Sequence, residues 1–177
     1  MQNEESIVWR AKQHDQVALT QLYEENFDKI YRYIVLKIGE KTEAEDMTQQ
    51  VFLKAFKNIS SYKYKGLPFS SWLYRIAHNQ IVDYFRKKSK RATVPLDESL
   101  AAGNSDPRQE VERSLDVEDL ARATRRLTKA QQEVISLRFA GEFSIAQVAR
   151  MMDKSEGAIK ALQHSAIVSL RKVLSTG

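Results

Sequence analysis

Apolar residues that recur at steps of three and four, and almost nowhere alternate, set the strongest limit on what this chain folds into. In "ALTQLYEENFDKIYRYIVLKIG" the residues Leu19, Leu22, Tyr23, Phe27, Ile30 and Ile34 keep that spacing, and Gly39 supplies a C-terminal cap. Such spacing makes one face of a helix apolar, whereas a strand needs a period of two. The same period returns in "TEAEDMTQQVFLKAFKN", where Thr42 and Glu45 have capping-box spacing. Gly66 and Pro68 then break the pattern in "SSYKYKGLPFS", and helical spacing resumes from Ser70 to Arg91. Beyond Arg91, "ATVPLDESLAAGNSDPRQE" holds two of the three prolines, several acids and almost no large apolar residue. The expectation is an all-α chain: two small helical domains, residues 1–91 and 112–177, joined by a flexible acidic linker over 92–111.

The second domain carries the more compact signals. Thr128 with Gln131 and Ser144 with Gln147 have the spacing of capping boxes, and Gly141 ends the first of these helices. From Ser144, a short helix turns Ile145, Val148, Ala149 and Met152 inward, a turn passes through Asp153 and Lys154, and Ser155 caps a longer helix. That helix buries Ile159, Leu162, Ala166, Leu170 and Val173, which completes a helix-turn-helix. Glu156, Lys160, Ala161, His164 and Ser165 then face outward near its amino end, where such helices meet base edges in the major groove. Lys154 and the free amides of the helix start suit a phosphate.

In the first domain, "SSWLYRIAHNQIVDYFRKKSKR" does not sort its residues as a purely structural helix would. At about 100° per residue its core stripe is Leu73, Ala77, Ile81 and Tyr84, while Arg75, Asn79 and Arg86 lie opposite with Trp72 among them. A ring on a basic, amide-bearing face suits stacking on unpaired bases. Tyr62, Lys63, Tyr64, Lys65 and Phe69 repeat the pairing of ring and charge in the adjoining loop. Arg86, Lys87, Lys88, Lys90 and Arg91 form a cluster fit for phosphates. The net charge of +5 agrees with an anionic partner. On the preceding helix, Leu53 and Phe56 border the polar side of Asp46, Gln49, Gln50 and Lys57, as on a surface that docks another protein.

The residue inventory narrows the chemistry. With no cysteine there is no disulfide, no Cys-ligated zinc and no thiol catalysis. The six glycines are too scattered for a phosphate-binding loop, and His14, His78 and His164 are too far apart for a local metal motif. The expectation is a protein without catalysis, cofactor or metal of its own. No apolar run is long enough to span a membrane, and the polar, acidic start does not read as a signal peptide, so a cytoplasmic location without membrane insertion is expected.

Three segments in order, "AEDMTQQVFLKAFKNI", "FSSWLYRIAHNQIVDYFRKKSKR" and "LTKAQQEVISLRFAGEFSIAQVARMMDKSEGAIKALQH", resemble the bacterial extracytoplasmic-function (group IV) sigma factors of the sigma-70 family. The resemblance implies a region 2 domain that binds the clamp helices of core RNA polymerase through Asp46, Gln49, Gln50, Leu53, Phe56 and Lys57. It implies −10 promoter recognition and melting by Lys63, Tyr64, Lys65, Phe69, Trp72, Arg75, Asn79, Asp83, Arg86 and Lys87, partly as single strand with a flipped base. The linker, with Asp97, Glu98, Asp106 and Glu110, is expected to thread the polymerase cleft. The region 4 helix-turn-helix is then expected to hold the polymerase flap and read duplex −35 DNA through Lys154, Ser155, Glu156, Lys160, Ala161, His164 and Ser165. Members of the family often have an anti-sigma partner. The chain departs from the family's pattern at Leu162 and Ser165, where many relatives carry arginine, and at Gln163, where leucine is frequent.

One alternative comes from the same helix-turn-helix: a stand-alone transcriptional regulator. Such proteins usually place a receiver of alternating strands and helices before it, and the helical spacing here leaves no room for one.

Overall fold

The computed structural model describes residues 2–92 and 118–176. The expected linker, apart from Ala92, and the acids placed on it lie outside the described residues. Five elements build the first lobe: α1 (Gln2–Lys12), α2 (Gln16–Ile38), α3 (Lys41–Lys57), a 3-10 turn (Ile59–Ser61) and α4 (Phe69–Ala92). The second lobe holds α5 (118–125), α6 (Lys129–Ile135) continued by a π-turn (Ser136–Ala140), α7 (Ile145–Met152) and α8 (Glu156–Thr176). All regular structure among the described residues is helical.

Local chemistry sets most of the helix ends. Asp15 accepts from the Val17 amide at 3.0 Å and starts α2. Gly39 ends it in the left-handed conformation, φ 76°, with its amide on the Val35 carbonyl. The chain reverses so tightly there that α3 begins at Lys41 with Glu40 as its N-cap and no side-chain cap bond. The Thr42–Glu45 capping box is therefore not formed, because both residues already lie inside the helix. Thr128 with Gln131 and Ser144 with Gln147 do form reciprocal capping boxes. Asp153, at φ 53°, turns the chain out of α7, and the Ser155 hydroxyl accepts from the Ala158 amide at 3.1 Å. This is the expected helix-turn-helix.

In the first lobe α2 is the central element, packed on α1, α3 and α4. Leu22, Ile30 and Ile34 of α2 meet Val51 and Phe52 of α3 and Leu73 and Ala77 of α4 in a fully buried core. Helix α1, which carries Ile7, Val8 and Ala11 into that core, is an addition to the helices read from the sequence. The core does not stop at the lobe boundary. Val134, Leu137, Phe143, Val148 and Ile159 belong to the same apolar cluster, while Leu127, Ile135 and Ala166 form a smaller one of their own. Two lobes expected to hang on a tether are thus packed against each other.

Candidate nucleic-acid interface

The loop between Tyr62 and Pro68 and the first turns of α4 form one surface. Tyr62 and Phe69 are buried and meet edge to face, with ring centroids 5.1 Å apart. Trp72 leans on both, at 5.3 Å from Tyr62 and 5.6 Å from Phe69. Trp72 is half-buried, neither swallowed by the core nor free on the surface, and it lines an open cleft of about 440 Å³ together with Lys63, Lys65, Arg75 and His78. Burial, followed by Glu4 and Tyr64, pushes the Tyr62 hydroxyl up to about 12, so the ring under Trp72 is neutral at any physiological pH.

Of the −10 candidates, Lys63, Tyr64, Lys65, Arg75, Asn79, Asp83, Arg86 and Lys87 are exposed. Trp72, Arg75, Asn79 and Arg86 share one side of α4 over about 21 Å of helix. Asp83 pairs with Arg86 at 3.0 Å, which restrains that cation along the helix. Phe69 requires a correction. It is 1% exposed and forms the floor beneath Trp72, so it cannot itself touch DNA. The sequence pattern could not separate it from Tyr64, a ring in the same loop that is 63% exposed.

On α3 the apolar stripe Ala44, Met47, Val51 and Ala55 is buried as expected. Leu53 stands 71% exposed beside Asp46, Gln49, Gln50 and Lys57, all exposed. Phe56 differs from the expectation in degree: half-buried, it packs on Phe52 at 5.8 Å and offers only an edge to that rim. Gln49 donates to the Tyr23 hydroxyl at 2.8 Å, which ties the polar rim to α2.

On α8, Lys160, Ala161 and His164 are exposed, as are Lys154, Ser155 and Glu156 at its amino end. Ser165 is less available. Its hydroxyl accepts from Gln131 at 2.9 Å and donates to the Leu162 carbonyl at 3.1 Å. Leu162 packs on the core, and Gln163 accepts from Arg138 Nε at 2.8 Å. The three departures from the family's pattern therefore lie on the inner flank of the helix.

Four residues outside the sequence candidates bring the lobes together. Glu133 accepts from the Tyr33 hydroxyl at 2.9 Å and from Lys37 Nζ at 2.7 Å, with His78 Nδ1 3.8 Å away. Burial first, then the charge of Glu133, holds the Tyr33 hydroxyl well above its ordinary range. Arg150 donates from Nη1 to the Gly66 carbonyl and from Nη2 to the Lys65 carbonyl, both at 2.9 Å. Glu142 sits 3.6 Å from Lys29 and 3.5 Å from Arg32, and Phe143 stacks edge-on against Tyr74 at 5.1 Å. No local spacing announces these residues, since their partners lie far away in sequence.

Among the described residues no cluster of three or more His, Asp or Glu side chains could hold a metal ion, and no helix is long and apolar enough to cross a membrane.

Comparison with known proteins agrees with this layout. The family profile of Sigma-70 region 2 matches residues 22–91, and that of Sigma-70, region 4 matches residues 125–172. The ECF RNA polymerase sigma factor SigL of Mycobacterium tuberculosis is 30% identical over 154 residues, covering 86% of both chains. The ECF RNA polymerase sigma factor BldN of Streptomyces coelicolor is 39% identical over 170 residues; the match covers 95% of this chain and 64% of that protein's length. Among solved structures, CnrH in complex with the cytosolic domain of CnrY shares the fold, with a TM-score of 0.72 at 20% identity over 98% of this chain and 97% of that one. The sigma factor RpoE of Bartonella quintana, solved with the anti-sigma factor NepR, does so with a TM-score of 0.65 at 24% identity, covering 88% and 96%.

Proposed function

This chain belongs to the extracytoplasmic-function RNA polymerase sigma factors, and from that premise we propose how its residues divide the work of promoter-specific initiation. The α3 rim around Leu53, with Asp46, Gln49, Gln50 and Lys57 and the edge of Phe56, docks on the clamp helices of core polymerase. A large apolar side chain left 71% exposed within a polar border is the pattern of a protein-docking surface.

The loop and α4 read the −10 element after it melts. The observation that carries this reading is the half-buried Trp72, held from below by Tyr62 and Phe69 and open on its other side to a cleft of cations. A base stacked there gains on the order of 1–3 kcal/mol. That offsets much of the few kcal/mol that unstacking costs. Lys63, Lys65, Arg75, Arg86 and Lys87 line the path for phosphates, with Tyr64 and Asn79 as further base contacts.

The amino end of α8 reads the −35 element as duplex, with Lys154 and Ser155 at the backbone and Lys160, Ala161 and His164 toward base edges. The domain division at 1–91 and 112–177, a cytoplasmic location and the absence of intrinsic catalysis belong to the same reading. So does a partner of the anti-sigma kind, as found with RpoE in one structural neighbour.

The test is titration of the purified chain against core polymerase free of sigma, followed by run-off transcription on a promoter library. A stoichiometric complex that initiates at defined −10 and −35 sequences is the expected result. A chain that ignores polymerase yet shifts duplex DNA alone is a stand-alone regulator instead.

A further inference from the structure

Helix α1 leaves its largest side chain in water. It turns Ile7, Val8 and Ala11 into the core, yet Trp9 stands 64% exposed. Trp9 borders a second hollow, of about 170 Å³, framed by α1 and the loop that follows Tyr62. Val8, Tyr62 and Phe69, all buried, lie at its base, and Tyr64 is the exposed ring on its loop side. Tyr62 and Lys63 line this hollow and the Trp72 cleft alike, so the two adjoin across the loop. Lys12 Nζ donates to the Tyr62 carbonyl at 2.8 Å and pins α1 to the loop, which holds the walls in place before anything binds.

Size and charge narrow the occupant. The volume lies below the roughly 300 Å³ at which pockets for drug-sized molecules begin, so it takes one planar ring system rather than a packed helix. Two exposed aromatic rings at its borders suit stacking on such a ring. Glu4 and Glu5 also line the hollow, and the charge of Glu4 is felt at the Tyr62 hydroxyl. Carboxylates repel a phosphate but accept a hydrogen bond from the exocyclic amine of a base. The phosphates then belong with exposed Lys63, between the two hollows.

We infer that this hollow is a second base site: a further unpaired nucleobase of the melted strand, one that carries an exocyclic amine, stacks on Trp9 and Tyr64 while the amine donates to Glu4 or Glu5. The inference rests on the assignment of the −10 surface proposed above.

The test uses the complex with core polymerase on a pre-melted promoter recovered from the run-off library. A single abasic site is moved one nucleotide at a time along its non-template strand, and binding is read by fluorescence anisotropy. One position should couple to Trp72→Ala and a different one to Trp9→Ala. At the second position the abasic site and Trp9→Ala should each weaken binding roughly five- to tenfold. Together they should weaken it no more than either alone, since both delete the same contact. Trp9→Ala acting independently of every abasic site overturns the second base site. Trp9 lies outside the core, so its loss leaves the fold standing, and thermal melting verifies that. If Trp9→Ala weakens binding to core polymerase instead, the hollow is a protein contact and the inference falls. Coupling of Trp72 to no position sinks the −10 assignment itself, whereas coupling of Trp72 without Trp9 sinks only the second site.

Glu4→Gln combined with Glu5→Gln then separates a reader of bases from two solvated acids. At the coupled position the parent chain should prefer adenine or cytosine to thymine by about threefold or more, and the double variant should lose that preference. A parent chain without the preference, or a double variant that binds every sequence more tightly and keeps it, removes the carboxylates from base recognition.

Discussion

Trp72 is the residue on which structure and function weigh most evenly. Its ring rests on Tyr62 and Phe69, so removing it takes packing from the loop as well as a face from the cleft. For a half-buried ring the stability cost of Trp72→Ala is about 1–2 kcal/mol, below the value for a fully buried tryptophan. Promoter opening, followed by permanganate reactivity of the −10 strand, should fall about tenfold or more, while affinity for core polymerase stays within about twofold. Equal loss of both would make Trp72 a structural residue. The tyrosines give a second residue-scale prediction. In the unfolded chain they ionise near the ordinary value of 10, but folding holds Tyr62 up to about 12 and Tyr33 above its usual range, in both cases mainly through burial. Above pH 10 the unfolded chain therefore carries fewer protons than the folded one, and stability must fall. For Tyr62 the stabilisation is complete below pH 10 and is lost as pH climbs toward about 12, and Tyr33 adds a loss of the same sign. Urea unfolding between pH 8 and pH 11.5 checks this, and Tyr62→Phe should flatten the decline. A parent curve level to pH 11.5 would mean that neither hydroxyl is desolvated as described.

At the scale of elements, α8 shows why a recognition helix with few cations remains usable. Leu162, Gln163 and Ser165 face inward to the core, to Arg138 and to Gln131, which leaves Lys160 as the exposed cation of the helix's first two turns, beside Ala161 and His164. Lys160→Ala should weaken binding to −35 duplex by about three- to tenfold, read by anisotropy across a salt series. If Lys160 neutralises a phosphate, the slope of log affinity against log salt also drops by about one unit, whereas a base contact relaxes sequence preference instead. An unchanged affinity removes α8 from recognition. The helix-turn-helix was legible because its signals are local: Ser144 and Gln147, three residues apart, and Ser155 at the next start carry the information themselves. Where a neighbouring element decides, sequence spacing misleads. Thr42 and Glu45 have capping-box spacing, but the left-handed turn at Gly39 starts α3 before them. Helix α1 carries only three small or medium apolar residues into the core, Ile7, Val8 and Ala11, a stripe too short to stand out in the sequence. Phe69 and Tyr64 show the same limit on the −10 surface, because a ring beside a lysine is core or contact according to what lies beneath it.

For the whole molecule the decisive feature is the continuity of its core across the lobes. Tyr74 of α4 meets Phe143, and Val134, Leu137 and Val148 join the cluster built on Leu22, Ile34 and Leu73. Polar groups reinforce this seam, since Lys37 and Glu133 form a largely buried pair, with side chains 10% and 21% exposed. A chain read as two domains on a tether should melt as two units. A chain with one shared core should melt as one. Calorimetry of the free protein is therefore expected to show a single transition whose van't Hoff and calorimetric enthalpies agree. Arg150→Ala combined with Glu133→Gln should split it, because the seam loses the shortest of its polar attachments, keeping the longer Glu142 pairs and the Arg125 bond to the Ile38 carbonyl, and the smaller lobe melts first. Two transitions in the parent protein would mean that the apolar seam contributes too little to couple the lobes, and the closed state would then be only a minor conformer in solution. A single transition that survives in the double variant would assign the coupling to the attachments that remain, the Glu142 pairs and the apolar contact of Tyr74 with Phe143, and adding Phe143→Ala, then Glu142→Gln, would show which of them holds the lobes.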